Sequence, residues 1–458
     1  MFFFLQMLAV YDSSEITKCT EQVKEQRSNG SYSSDSPLKI TILGSSGFFN
    51  FGSQFISEEL ALQLAKIRDV KVTFLVPENS CSEFFKKVAA NSGVITVEVQ
   101  EIPGFDDPID LLPYFSPKDL KTDIVVGVGE WLSIVAQVFK KFYQCKSICI
   151  ASDPFETSAE TFRIFEERLH DVLERCRRRM DELCLLADLP VAPGPKMHDK
   201  LSASLSYHKK DVFNFTPGIL SEFSDVTHAT NERTYFRILI FGGGDPGNFE
   251  QEGLNTVAEA VAELKEKSYH LYYVGAAKGK HEQFAKKFCQ FGVSRSQLTI
   301  RSLPKSEEEL KRLFCEVDLA IMPSSEQEFG AMALAALSSG LPVLVHAYSG
   351  FGEALKEVNF GTSSTVDSED ANVWATAIKM VRNTDRKIRL KVAETLRSNY
   401  DEIYSWEKQC RALVQKMLTM VSGMNFPQLM LSIFSESAVG QGNTRASFVC
   451  MSYKSVSK

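Results

Sequence analysis

Residues 317–345 contain the stretch Val317-Asp318-Leu319-Ala320-Ile321-Met322-Pro323-Ser324, then Phe329-Gly330, then Ser339-Gly340-Leu341-Pro342-Val343-Leu344-Val345. An apolar run of strand length is stopped by a proline. A glycine opens the small-residue segment Ala331–Ser338, and Gly-x-Pro leads a second apolar run. Neither run alternates polar with apolar residues, as expected of parallel strands covered on both faces. Working backward, the pattern predicts strand Phe236–Phe241, helix Leu254–Lys267, strand His270–Val274, helix His281–Phe291, strand Gln297–Arg301 and helix Ser306–Phe314. Strands alternating with helices in this way imply a wound parallel sheet.

The first half repeats the alternation. Lys39–Gly44 is a strand ending at a glycine, a helical pattern runs from Glu58 to Arg68, and Val70–Val76 is a strand stopped by Pro77. Strands are expected at Val94–Val99, Asp123–Gly127 and Ser147–Ala151, with helices near Ser82–Ala90, Trp131–Phe142 and Thr161–Leu186. Arg175, Arg177, Arg178 and Arg179 on the last of these read as a solvated face. Ala187-Asp188-Leu189-Pro190-Val191-Ala192 echoes Val317–Met322, but Pro190 and Pro193 lack donors and predict an edge or damaged strand.

A chain of 458 residues suits two domains better than one core. The expected fold class is α/β, with two Rossmann-like doubly wound parallel-sheet domains. The expected divisions are a disordered tail over 1–37, a first domain over 38–215, a connection over 216–233, a second domain over 234–400, a closing helix over 401–420 and a disordered tail over 421–458.

Hydrophobic residues at 44% and charged residues at 24% are soluble-globular values. A formal charge of -7 argues against a general nucleic-acid binder, which concentrates basic residues on one face. The ten cysteines are scattered without CxxC pairs or zinc-finger spacing, so reduced thiols and a cytoplasmic location are expected. Met1–Val10 is apolar but lacks a basic flank and is too short to span a bilayer, so no stable membrane insertion is expected. Without secretion, Asn29-Gly30-Ser31 and Asn214-Phe215-Thr216 carry no glycosylation meaning.

Gly242-Gly243-Gly244-Asp245-Pro246-Gly247 satisfies G-x-G-x-x-G after a strand. Pro246, Gly247, Asn248 and Gly253 postpone the helix whose N-terminus should face a pyrophosphate, and the next strand ends at Val274-Gly275 without a ribose-binding carboxylate. A nicotinamide-dinucleotide protein is therefore the minor reading. Gly275-Ala276-Ala277-Lys278-Gly279-Lys280-His281 misses a P-loop by one residue and by the magnesium-binding hydroxyl. No D-x-D occurs, and no metal site is expected.

Taken in order, the quoted segment from Val317 to Val345 resembles the donor-site signature of retaining family-4 glycosyltransferases with the GT-B fold. Ser349-Gly350-Phe351-Gly352-Glu353 resembles the small-residue loop after it. Thr216-Pro217-Gly218-Ile219 resembles the family's passage into its C-terminal domain, and Tyr404-Ser405-Trp406-Glu407 resembles its closing helix. The resemblance covers Leu38 to Met420. It implies two domains facing a central cleft, a nucleotide-sugar such as a UDP- or GDP-hexose as ligand, and metal-independent hexosyl transfer without a further cofactor. Donor-side cleft positions would be Gly242, Gly243, Gly244, Glu252, Ser324, Gln327, Glu328, Phe329, Gly330, Ala335, Ser349, Gly350, Phe351 and Gly352. On the first domain they would be Gly44, Gly47, Gly52, Ser152 and Asp153.

The chain departs from that family where charge is needed. The leaving diphosphate is met in the family by an Arg and a Lys, and the matching positions here hold Gly243 and Glu252. The two glutamates of the family pattern become Gln327 and Ala335, with Glu326 and Glu328 beside the first. Ser152 and Asp153 stand where a His is usual, and Phe48, Phe49 and Phe51 crowd the first loop. Lys278, Lys280 and Lys305 are the remaining nearby cations in sequence. The resemblance with these losses implies a glycosyltransferase-like pseudoenzyme used for binding or interaction. The alternative is an active enzyme with a rearranged donor site. Catalytic residues and the acceptor are not assigned.

Overall fold

The computed structural model describes residues 36–44, 51–78, 80–81, 83–100, 120–152, 169–326 and 329–422. The two expected tails (apart from Ser36, Pro37, Val421 and Ser422), and Gly47, Phe48, Phe49, Asp153, Gln327 and Glu328, lie outside the described residues.

The first half contains β1 (Leu38–Leu43), α1 (Phe51–Ala65), β2 (Val70–Pro77), α2 (Glu83–Ser92), β3 (Ile95–Val99), β4 (Ile124–Val128), α3 (Gly129–Tyr143), β5 (Lys146–Ile150), α4 (Leu169–Leu186), β6 (Leu189–Ala192), α5 (Pro195–Leu205) and β7 (Phe213–Asn214). Among the described residues its strands form one sheet in the order β3-β2-β1-β4-β5-β6-β7, every pair parallel. The second half contains β8 (Phe236–Phe241), α6 (Leu254–Glu263), β9 (Tyr269–Val274), α7 (His281–Gln290), β10 (Leu298–Arg301), α8 (Glu307–Glu316), β11 (Leu319–Met322), α9 (Ala331–Ser338), β12 (Val343–His346), α10 (Gly350–Lys356), β13 (Thr365–Val366), α11 (Ala371–Asn383), α12 (Arg386–Ile403) and α13 (Trp406–Ser422). Its sheet runs β10-β9-β8-β11-β12-β13, again all parallel. Strand order reverses between β1 and β4 and between β8 and β11. In open parallel sheets, ligands bind beyond the strand C-termini at such a reversal.

Apolar runs become strands here because both faces are covered. Ile238, Leu239 and Ile240 on β8 are all fully buried, as are Val125 and Val126 on β4. Trp374, Phe284 and Tyr273 fill the second core, each contributing roughly 1.5–3 kcal/mol by burial.

Two local expectations are revised. Helix α1 begins at Phe51 rather than Glu58. Its periodicity is masked because Gln54 to Leu62 are buried all round, with α9 against it and Glu59 accepting from Ser221 N–H at 3.1 Å and its hydroxyl at 2.6 Å. Strand β6 is penultimate rather than an edge, because Phe213–Asn214 pairs beyond it. The Val191 carbonyl accepts from Ala151 on the β5 side, so alternation turns the missing donor of Pro190 the other way. There the two-residue β7 pairs only from Val191 onward, and no ladder bond is lost.

The passage between the halves is clasped. The Tyr400 hydroxyl donates to the Pro217 carbonyl at 2.8 Å, and the Trp406 indole donates to the Ile219 carbonyl at 2.9 Å. A Cβ on Gly218 would stand 2.4 Å from the Tyr404 carbonyl, so this position requires glycine. Thr216–Ile219 and Tyr404–Glu407, far apart in sequence, are thus one packed unit.

Asp318 anchors the second half. It is 0% exposed at its side chain and faces Arg386, with Arg233 and Arg389 at 3.6 Å. It also accepts from the Arg237 amide at 2.9 Å.

Candidate functional site

The reversal between β8 and β11 brings the glycine turn and the Pro-Ser turn together. The Ser324 hydroxyl donates to the Gln251 carbonyl at 3.2 Å, and a Cβ on Gly253 would lie 3.1 Å from Pro323. Beyond Gly244 the chain makes a short 3-10 turn over Pro246–Asn248, and α6 opens only at Leu254, capped by Gly253 in the left-handed region. Helix α6 therefore does not present its N-terminus to Gly242–Gly244. Gly242 is obligatory, since a Cβ there would come within 2.6 Å of both Glu252 and Tyr273.

Glu252 folds back over the glycine turn. The Gly243 amide donates to both of its carboxyl oxygens, at 3.0 and 3.1 Å. Part of the Glu252 surface still meets solvent, but its carboxyl faces inward. Burial, reinforced by Asp245, pushes its pKa up to about 8 against the lowering effect of the Gly243 bond. Near neutral pH this position is thus largely uncharged: what it removes is the amide, more than the charge.

A pH test follows. The folded chain holds the Glu252 proton more tightly than the unfolded chain. The resulting stability is present in full below about pH 4.5 and is lost as pH rises through about 8. Glu252→Gln is expected to flatten that part of the decline. Urea unfolding at pH 5 and pH 8.5 checks this, and parallel changes in wild type and variant would refute it.

The other donor-side positions divide. Ser324 and Phe329 are 6% and 3% exposed, and Gly330 takes φ 91° to start α9. Ala335, Ser349 and Phe351 are fully buried. Ser349 caps α10, accepting from the Gly352 amide at 3.0 Å while its hydroxyl donates to the His346 carbonyl at 2.7 Å. A Cβ on Gly352 would lie 2.2 Å from that carbonyl, which explains the glycine; Gly350 is buried beside it. In the first half, Gly44 is buried with no room for a side chain beside Val76, Gly52 lies in the first turn of α1, and Ser152 is half-buried after β5.

Sequence reasoning missed two groups that reach the Pro-Ser turn and a histidine at a neighbouring strand end. Lys196, at the start of α5, donates to the Ser325 carbonyl at 2.5 Å. Arg177 on α4 approaches Glu326 at 3.6 Å, so the arginine run is more than a solvated face. His346, at the C-terminal end of β12, is held below its ordinary pKa by burial, with Glu369, Asp367 and Lys196 nearby. Its place at a strand end was the available signal. Gly194, at φ 94°, packs against the Phe329 ring, at 3.1 Å from where a Cβ would stand. Lys278 and Lys305 are exposed and Lys280 is half-buried. The Ala277 amide donates to the Gly244 carbonyl at 3.4 Å, bringing the Lys278–Lys280 turn against the glycine turn.

No helix among the described residues is long and apolar enough to cross a membrane. Cys149 and Cys184 are free thiols with sulfurs 3.6 Å apart.

The chain resembles D-inositol 3-phosphate glycosyltransferase of Corynebacterium urealyticum, at 25% identity over 270 residues, 56% of this chain and 59% of that protein. The relative from Mycobacterium marinum is 30% identical over 112 residues, 24% of this chain and 23% of its own length. The chain thus spans well under two thirds of these curated relatives. Among solved structures, sucrose-phosphate synthase of Thermosynechococcus elongatus superposes with a TM-score of 0.57 at 15% identity, covering 84% of this chain and 100% of that one. Anabaena HepE in complex with UDP and glucose gives 0.55 at 14% identity, covering 83% and 99%. These likenesses establish the two-domain GT-B fold. The family model described as "Family 4 Glycosyltransferase in conflict systems" matches residues 52–413, and the chain belongs to that family.

Proposed function

We propose that this chain keeps the family-4 glycosyltransferase fold as a binding or interaction scaffold and carries out little or no glycosyl transfer. The observation that carries this reading is the Glu252 carboxyl on the Gly243 amide, which occupies the donor that a diphosphate at the glycine turn would need. Gly243 and Glu252 supply neither cation of the family clamp, and Ala335 has no carboxylate for a ribose. One charge contact of this kind is worth between about 1 kcal/mol in water and about 4 at an effective dielectric of 20, so losing two costs several kcal/mol, on the order of a thousandfold or more in rate. The ligand class the fold implies is a nucleotide-sugar, UDP- or GDP-linked, in keeping with HepE solved with UDP-glucose. Free thiols accord with a cytoplasmic location.

Calorimetry with UDP, GDP and their hexoses is expected to show no saturable binding at micromolar concentration and no donor hydrolysis. Micromolar binding accompanied by hydrolysis would remove this reading.

A second reading, an active metal-independent transferase with a rearranged donor site, is favoured by Lys196 and the Lys278–Lys280 turn beside Ser325 and Gly244.

A further inference from the structure

We propose that Glu58, Glu222 and Glu307 form a site for one hard divalent cation of Ca2+ size, built from none of the glycine-turn residues and independent of any transfer reaction. The three come from different segments: α1, the 3-10 turn Ser221–Phe223 of the connection, and the first turn of α8. One ligand oxygen from each lies within 4.8 Å of the others. Two ligands on opposite sides of a calcium ion, at 2.3–2.6 Å each, stand roughly 4.6–5.2 Å apart, so one ion reaches all three.

Two further observations point to an absent positive charge. Glu222 is 5% exposed, and as carboxylates neither its Oε1 nor that of Glu307 has a donor; the two carboxyls can hydrogen-bond each other only when one of them carries a proton. A small cavity lined by Phe55, Glu58, Glu59, Phe84, Leu220 and Glu222 adjoins them. A buried carboxylate oxygen without a donor is rare, because losing water uncompensated is expensive.

One surrounding cation meets the need in part: Lys311 lowers both the Glu222 and the Glu307 carboxyl, against the burial that raises them. The Lys311 ammonium, on α8, pairs with Asp225 at 2.9 Å and sits over the Phe84 ring. The Glu59 carboxylate is taken by Ser221, and Glu58 accepts from Gln54 at 3.0 Å. Burial first, then their shared proximity and Glu58, raises the Glu222 carboxyl; burial likewise raises Glu307, with Glu308 adding to it. An all-carboxylate oxygen set selects hard cations over zinc or copper. Glu307 keeps more solvent contact than its partners, which gives an ion and its waters a way in.

The full chain, dialysed against chelator and titrated with CaCl2 at pH 7.5 by calorimetry, is expected to take up one ion and to melt at a higher temperature with it. Glu222→Gln and, separately, the more exposed Glu307→Gln are each expected to weaken uptake tenfold or more. In chelator, Glu222→Gln should melt no lower than wild type, because it relieves an uncompensated buried acid. No heat and no melting shift with CaCl2 in wild type would overturn the proposal and leave shared protons as the bridge among the three carboxyls. Neither outcome touches the donor-site reading, which rests on nucleotide binding.

Discussion

Replacing Gly243 by Arg together with Glu252 by Lys is expected to create or tighten UDP binding by roughly 30- to 100-fold. Gly243 does not occupy the left-handed region, so a side chain is accommodated by the backbone. A Cβ there meets only Glu252, whose Oε1 would be 2.9 Å away, and that contact disappears with the second substitution. The lysine also frees the Gly243 amide. Two new cations near a diphosphate, each worth about 1–1.5 kcal/mol after partial solvent screening, give about 2–3 kcal/mol in total. Gly243→Arg alone should recover less than half, because its guanidinium would pair with Glu252. Calorimetry with UDP on all three variants decides it. Unchanged affinity in the double variant would show that the clamp does not belong at this turn.

Asp318→Ala is expected to destabilise the fold by about 3–5 kcal/mol, the usual result of stripping a buried ion cluster of its counter-charge. Arg386 and Arg389 are 1% and 4% exposed, and Glu232, from a half-exposed position, takes the Arg389 guanidinium at 2.7 and 3.0 Å but only the backbone amide of Arg386, at 2.7 Å. Arg386 would retain the Ala229 carbonyl but no carboxylate at its guanidinium. Adding Arg386→Ala to the variant should therefore cost less than the sum of the single changes. Urea unfolding of the cycle measures this, and a loss below about 1 kcal/mol for Asp318→Ala would contradict the role given to it.

Much of this architecture was readable from periodicity, since buried parallel strands announce themselves as short apolar runs between glycines and prolines. Phe236–Phe241 and Val70–Val76 coincide with β8 and β2 to within a residue. Helix α1 was misjudged at its start because its two faces pack on different halves, and a helix buried all round shows no polar stripe. The failing of the β6 estimate was directional: a proline removes a donor, but sequence does not tell which neighbour that donor would have faced.

The candidate site was legible in its loops and opaque in its side chains. Gly242 through Glu252 follows β8 at a strand-order reversal, and the carboxyl's return onto Gly243 and its raised pKa depend on burial that spacing cannot supply. Lys196 lies well over a hundred residues from Ser325, and no local pattern pairs them. Ala335, Ser349 and Phe351 matched motif positions by spacing, which does not foretell the full burial they have here.

Tyr400 and Trp406 seize the outgoing strand of chain at Pro217 and Ile219, so the polypeptide goes out to the second half and comes back through the same knot of side chains. Mechanically, two traverses fastened together share any load placed on either, and Gly218 is too tightly packed to yield independently.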